Sequence, residues 1–208
     1  FGETYHFHKL HKNTLGQVFY GENLSYEEFG RNHRFVFASK AIDNLRNLPE
    51  EQWQLTKGAL LLYYLFPNIQ LSVGTGNVTL IKIYPAKDDA SKSITKVSHY
   101  FSQEMIDLAN AAANEKSAVT KVTSDNVYED KGGAETVLSL EAIMEIFNST
   151  IEKEDYLMGE YTQKTAENGV LEHLIFGRNE PALHHFHNTF AQVLDREPLL
   201  RLPETLIE

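Results

Sequence analysis

The chain has 208 residues, of which 42% are hydrophobic and 11% aromatic, enough for a buried core and unlike a disordered tail. Its formal net charge of −10 argues against a nucleic-acid or anionic-membrane partner, since both need a basic face. With no cysteine, these residues can form no disulfide, offer no thiolate nucleophile and hold no cysteine-ligated zinc or iron–sulfur cluster.

A chain of this length fits one domain or at most two, here read as one over 1–208, and can bury roughly 70% of its unfolded surface. No apolar run reaches the ~18 residues needed to span a bilayer and no signal peptide is visible, so a cytoplasmic setting is the expectation. Residues 1–12 read as a short helix or bent turn carrying His6, His8 and His11, with Glu3 just upstream and aromatics interleaved. Neutral imidazole is a good ligand for iron, zinc, copper or nickel, which makes His6 and His11 candidate ligands. His8, two positions from His6, points elsewhere on a helix.

Residues 15–30 are loop-like, punctuated by Gly16, Gly21 and Gly30. Residues 33–39 look like a strand, and 47–53 like a connector with a helical turn opened by Pro49. The densest β signal follows. An apolar run over 59–66 is broken by Pro67-Asn68; Ile69, Leu71 and Val73 then alternate with polar residues up to the tight turn Gly74-Thr75-Gly76. A strand over 78–84 is stopped by Pro85, and after a polar loop over 86–93 another strand covers 94–102. Successive strands with short turns imply an antiparallel meander.

Residues 105–113 can be helical, whereas 114–134 are polar, contain glycine and read as a mobile excursion. The spacing predicts a long helix over 139–167, closed by Asn168-Gly169. Residues 170–176 form a short strand or turn. Asn179 caps, and Pro181 opens, a last helix through 194. Strands first and long helices late give an α+β domain, a curved antiparallel sheet with helices on one face enclosing an apolar cavity.

In the long helix Leu140, Ile143, Met144, Phe147, Ile151 and Met158 recur at three- and four-residue steps. Asp155 falls on that stripe; Glu152, Lys153 and Glu154 fall off it. An ionised carboxylate turned toward a core needs compensation from an arginine or lysine, a hydrogen-bond network or a metal. The bland alternative is an acidic run on a solvated helix face. Combined with His6 and His11, Asp155 completes two histidines and one carboxylate, the facial set used by non-haem Fe(II) oxygenases, which leaves the other side of the ion open. Without a thiolate the set looks less like structural zinc. Tyr63, Tyr64, Phe66, Tyr84, Tyr100 and Phe101 divide between core and pocket. Among His184, His185 and His187 no nearby carboxylate completes a metal set, and His187 reads as a hydrogen-bonded core histidine.

The segment Glu3-Thr4-Tyr5-His6 … His11-Lys12 resembles the signature of the catalytic (C-terminal) domain of the alpha subunit of Rieske-type non-haem iron aromatic-ring-hydroxylating oxygenases. The segment Glu154-Asp155 … Gln163, then Gly169-Val170-Leu171 and the run from Phe176 to His187, is similar to that family's C-terminal stretch. The resemblance implies His6, His11 and Asp155 as ligands of a mononuclear Fe(II). It places Glu3 where the family has a carboxylate, usually Asp, that bridges the iron to the cluster of the neighbouring subunit. It also implies a helix-grip (START-like) fold, activation of O2 to hydroxylate an apolar or aromatic small molecule, a ferredoxin or reductase as electron donor, and a homotrimer. A Rieske domain holding a [2Fe–2S] cluster is expected upstream, because the chain starts at Phe1 almost on top of its first motif. The alternative function is a non-enzymatic helix-grip carrier of an apolar small molecule.

Overall fold

The computed structural model describes residues 6, 9–40, 42–114, 139–170 and 173–201. Six strands lie in one sheet in the order in which the chain makes them: β1 (Phe19–Phe29), β2 (Asn32–Ser39), β3 (Ala59–Leu65), β4 (Ile69–Val73), β5 (Asn77–Ala86) and β6 (Asp89–Phe101). Every neighbouring pair is antiparallel. Hairpins permit this because the turns carry residues suited to them. Gly30 at φ +61° and Gly76 at φ +74° occupy the left-handed region that side-chain-bearing residues avoid. At the β3–β4 turn the Asn68 amide donates to the Ile83 carbonyl at 2.8 Å.

The sheet departs from the sequence reading at both edges. Residues 15–30 are not a loop: one helical turn, α1 (Leu15–Val18), leads into the eleven-residue β1. An edge strand pairs on one side only and so tolerates glycine, charge and a register slip, here between Phe19 and Leu24. At the other edge Pro85 does not stop β5; the register shifts between Pro85 and Ala86 instead. The supposed loop over 86–93 shrinks to two turn residues, and its polar side chains are the exposed start of β6, where Asp89 pairs with Lys92 at 2.8 Å.

Directly opposite residues share a face of the sheet. One row therefore runs Phe35, Leu62, Ser72, Thr79, His99, and a second runs His33, Tyr64, Gln70, Ile81. This is the buried face, and its core joins Phe35 and Phe37 to Ala182, with Leu15, Phe19, Leu24, Leu60 and Leu62 packed around them. Ile81 is 1% exposed.

Between β2 and β3 come two single turns, α2 (Ile42–Leu45) and α3 (Leu55–Gly58), around a 3-10 turn that Pro49 opens. After β6 comes α4 (Gln103–Asn114); the polar excursion read from 114 onward lies outside the described residues beyond Asn114. The long helix is continuous but not uniform. α5 (Leu140–Thr150) starts at Ser139, whose hydroxyl accepts the Ala142 N–H at 3.1 Å, and α6 (Leu157–Glu167) ends it. Between them Ile151–Tyr156 forms a π-helical segment. Residues 173–176 form no strand. α7 (Pro181–Val193) is capped by Glu180, one residue later than the expected Asn179, and the Glu180 carboxylate accepts the Gly177 N–H.

Helices cover the buried face through ring contacts: Phe147 of α5 meets His99, and Phe186 of α7 meets Tyr64 with centroids 5.2 Å apart. No helix among the described residues is long and apolar enough to cross a membrane.

Candidate metal centre

The amino-terminal half of the site is two consecutive turns. The His6 carbonyl accepts the N–H groups of Lys9 (3.0 Å) and Leu10 (2.7 Å), and the His11 carbonyl accepts those of Thr14 (3.1 Å) and Gly16 (2.9 Å). This folding brings the two imidazoles edge to face, centroids 4.8 Å apart. Leu15 then anchors the segment in the core, and Lys40 reaches from the end of β2 to the Gly16 carbonyl at 3.0 Å. His11 is consequently 2% exposed although it lies near the start of the sequence.

The π segment supplies the other half. Its wider turn, with i→i+5 bonding, adds about one residue to the helix, a feature frequent at functional sites. Two consecutive side chains meet the same imidazole: Glu154 Oε2 lies 2.6 Å from His11 Nδ1, and Asp155 Oδ1 lies 3.4 Å from His11 Nε2. Glu154 Oε2 also accepts the Thr14 hydroxyl at 2.8 Å. The next residue, Tyr156, donates its hydroxyl to Thr95 of β6 at 2.5 Å and fixes the segment to the sheet. The sequence reading needs two corrections here. Glu154, assigned off the inward stripe, faces His11; Met158, assigned to the stripe, is 47% exposed. An extra residue in the turn rotates everything after it by roughly 100°, so a constant 3.6-residue period fails past Ile151.

One ligand atom from each of His6, His11 and Asp155 lies within 4.8 Å of the other two. Two ligands bonded at about 2.1 Å to one ion lie roughly 3–3.5 Å apart, so the 3.4 Å between His11 and Asp155 suits a shared cation. Donation from His11 Nδ1–H to Glu154 leaves the Nε2 lone pair on the Asp155 side, the tautomer a metal ligand needs. Burial by itself would lower the His11 pKa, but the hydrogen bonds and charges of Asp155 and Glu154 together outweigh it and raise it. The same carboxylates favour any cation at that place. Glu3, Tyr5 and His8 lie outside the described residues.

A second feature occupies the same face of the sheet. A cavity of about 490 Å³ is walled by His33, Phe35, Leu62, Tyr64, Gln70 and Phe186, among others. Its wall includes Ile83, which pairs directly with Thr95, the anchor of Tyr156. The π segment therefore meets the sheet at Thr95, two residues along β6 from Ser93 of the cavity wall. Of the aromatics singled out from sequence, Tyr63, Tyr64 and Tyr84 line the cavity, whereas Phe66 packs against Phe190 and Tyr100 is exposed. His187 lines it too, stacked on Phe176 at 4.8 Å, and burial pushes its pKa down.

Two wall residues escaped the sequence reading, His33 (4% exposed) and Gln70 (8%). Alternation carried the available signal. His33, Phe35 and Phe37 are every second residue of β2, and Gln70 and Ser72 are the buried positions of β4 while its apolar residues are only partly buried. His33 Nδ1 lies 3.1 Å from His185 Nδ1, and His185 Nε2 lies 2.9 Å from the Gly30 carbonyl.

The family model described as ring hydroxylating alpha subunit (catalytic domain) matches residues 1–196. No curated protein and no solved structure matches the chain significantly.

Proposed function

The chain belongs to the ring hydroxylating alpha-subunit family, in its catalytic domain, and from that premise we propose that it is an oxygenase domain whose His6, His11 and Asp155 hold one Fe(II). The observation that carries this reading is the clasp in which two imidazoles from the start of the chain meet a carboxylate from a helix some 140 residues later. Two nitrogens and one carboxylate oxygen suit Fe(II) and leave coordination positions free. Iron held there supplies the redox chemistry that activates O2 and hydroxylates an apolar or aromatic substrate.

The chain's own residues do the positioning. Glu154 keeps the His11 proton on Nδ1 and orients the ring, while the Thr14 hydroxyl holds Glu154 in place. Tyr156 fixes the widened turn that presents Asp155. The apolar cavity is the substrate chamber on this reading. A sheet with helices across one face and a cavity beneath them is the arrangement expected of a helix-grip fold. Electrons would come from a [2Fe–2S] cluster in a Rieske domain preceding this one, supplied by a ferredoxin or reductase, in a homotrimer where Glu3 serves as the bridge between subunits.

Anaerobic loading with Fe(II) tests the ligand set. The chain should bind one iron, and Asp155→Ala should bind less than about a tenth of that. Full iron in Asp155→Ala would dismiss these ligands, and no stoichiometric iron in the unaltered chain would favour the apolar carrier.

A further inference from the structure

A hydrogen-bond relay from the Gly30 carbonyl through His185 reaches the cavity wall at His33. The Gly30 carbonyl can only accept, so His185, 2.9 Å away through Nε2, must carry its proton there. When His185 is uncharged, its Nδ1 is bare. His33 Nδ1, 3.1 Å from it, must be the donor of that pair. A neutral imidazole has one N–H, so His33 Nε2 is left as a lone pair. No described residue hydrogen-bonds this atom, although His33 is 4% exposed and lines the cavity. The ring cannot swing away: it stacks on Tyr64 at 4.9 Å and has Tyr26 and Phe35 as further neighbours. Burial, and then the nearby His185, also disfavours the cationic form of His33.

Other polar groups near this ring are engaged or remote. The Tyr64 hydroxyl donates to the Pro67 carbonyl at 2.5 Å. Gln70 sits two strands from His33, roughly 10 Å away at ordinary strand spacing. Nε2 is open to the cavity and has no partner there among the described residues, so a ligand that fills the space without donating to it displaces water and leaves the acceptor unpaired.

We propose that His33 Nε2 anchors the ligand of this cavity, selecting an apolar ring compound that carries a hydroxyl able to donate to it. This names the substrate class for the chamber of the oxygenase reading and rests on that reading. The hydroxyl docks at the β2 side while the ring lies against Leu62 and Phe186. An isosteric ligand without the proton leaves the acceptor unpaired and binds more weakly.

The test compares naphthol with its methyl ether, similar in shape but unable to donate, on the full chain loaded with Fe(II) under nitrogen. Naphthol should bind about tenfold tighter, the effect of one net hydrogen bond. In His33→Phe the ratio should fall to within about twofold while unsubstituted naphthalene binds as before; in Gln70→Leu the tenfold ratio should persist. If His33→Phe fails to fold, nitrogen NMR of the unaltered chain decides: His33 should carry its proton on Nδ1, and its Nε2 signal should move with naphthol only. Equal affinities, a ratio abolished by Gln70→Leu instead, an Nε2–H tautomer, or no binding of either compound would overturn the anchor. Iron is counted in the same samples. A hydroxyl preference without stoichiometric iron keeps the anchor and removes the oxygenase reading, and one iron per chain with equal affinities does the reverse.

Discussion

Replacing Glu154 by glutamine removes a negative charge behind His11 and leaves the side chain's shape almost unchanged. The 2.6 Å contact between Glu154 Oε2 and His11 Nδ1 is short, as expected when a carboxylate accepts from imidazole. Such charge-assisted bonds are roughly twice as strong as neutral ones, and a neutral bond contributes about 1 kcal/mol net, so the exchange weakens this support by roughly 1 kcal/mol. His11 also becomes a poorer donor to the metal, and losing an outer partner of this kind typically lowers metal affinity 10–100-fold. The Fe(II) dissociation constant of Glu154→Gln should therefore rise at least about tenfold, measured anaerobically by competition with a chromogenic chelator. The amide oxygen still accepts the Thr14 hydroxyl, so unfolding of the metal-free chain in urea should shift by no more than that ~1 kcal/mol. An unchanged iron affinity would refute the assignment of Glu154 as the group that orients His11. So would an affinity loss accounted for entirely by a destabilised fold.

His33 gives the chain an acid-side weakness. Burial first, and the neighbouring His185 second, push its pKa down to about 4 from the ordinary 6.5. As pH falls below 6.5 the unfolded chain takes up a proton that the folded chain refuses until about 4, so this part of the stability is complete above 6.5 and drains away between those values. The loss is about 3 kcal/mol at most, and urea unfolding at pH 7.5 and 4.5 should show a smaller drop in His33→Phe than in the unaltered chain; equal drops would contradict it. Tyr156→Phe deletes the 2.5 Å bond to Thr95 and should cost about 1 kcal/mol of stability, with a smaller fall in iron affinity than Glu154→Gln produces. Thermal unfolding and the same chelator competition would check both parts.

The meander was legible from β2 to the start of β5 because its turns carry Pro67-Asn68 and Gly74-Thr75-Gly76 and its runs are apolar. β1 was not, because an edge strand bearing Glu27 and Glu28 has the composition of a loop. Asp155 could be picked out because it lies only one turn past Ile151, the last residue for which the helical period holds. Glu154 could not, because nothing in the local composition announces the π segment that brings it to His11. Gln70 and His33 were hidden by the habit of placing polar residues outside. On β4 the buried members of the alternation, Gln70 and Ser72, are the polar ones, and Gln70 lines the cavity.

Each strand of the sheet pairs with the one before it in the chain, so it can assemble by a series of local closures with little loss of loop entropy. The bond between His11 and Glu154 spans 143 positions and must wait until all six strands and α5 have been synthesised. A cation gripped there acts as a latch, sensing whether distant parts of the polypeptide have found each other and stabilising only molecules in which they have. Releasing it should let the opening turns fray while the strands stay protected, a difference that amide hydrogen exchange resolves residue by residue.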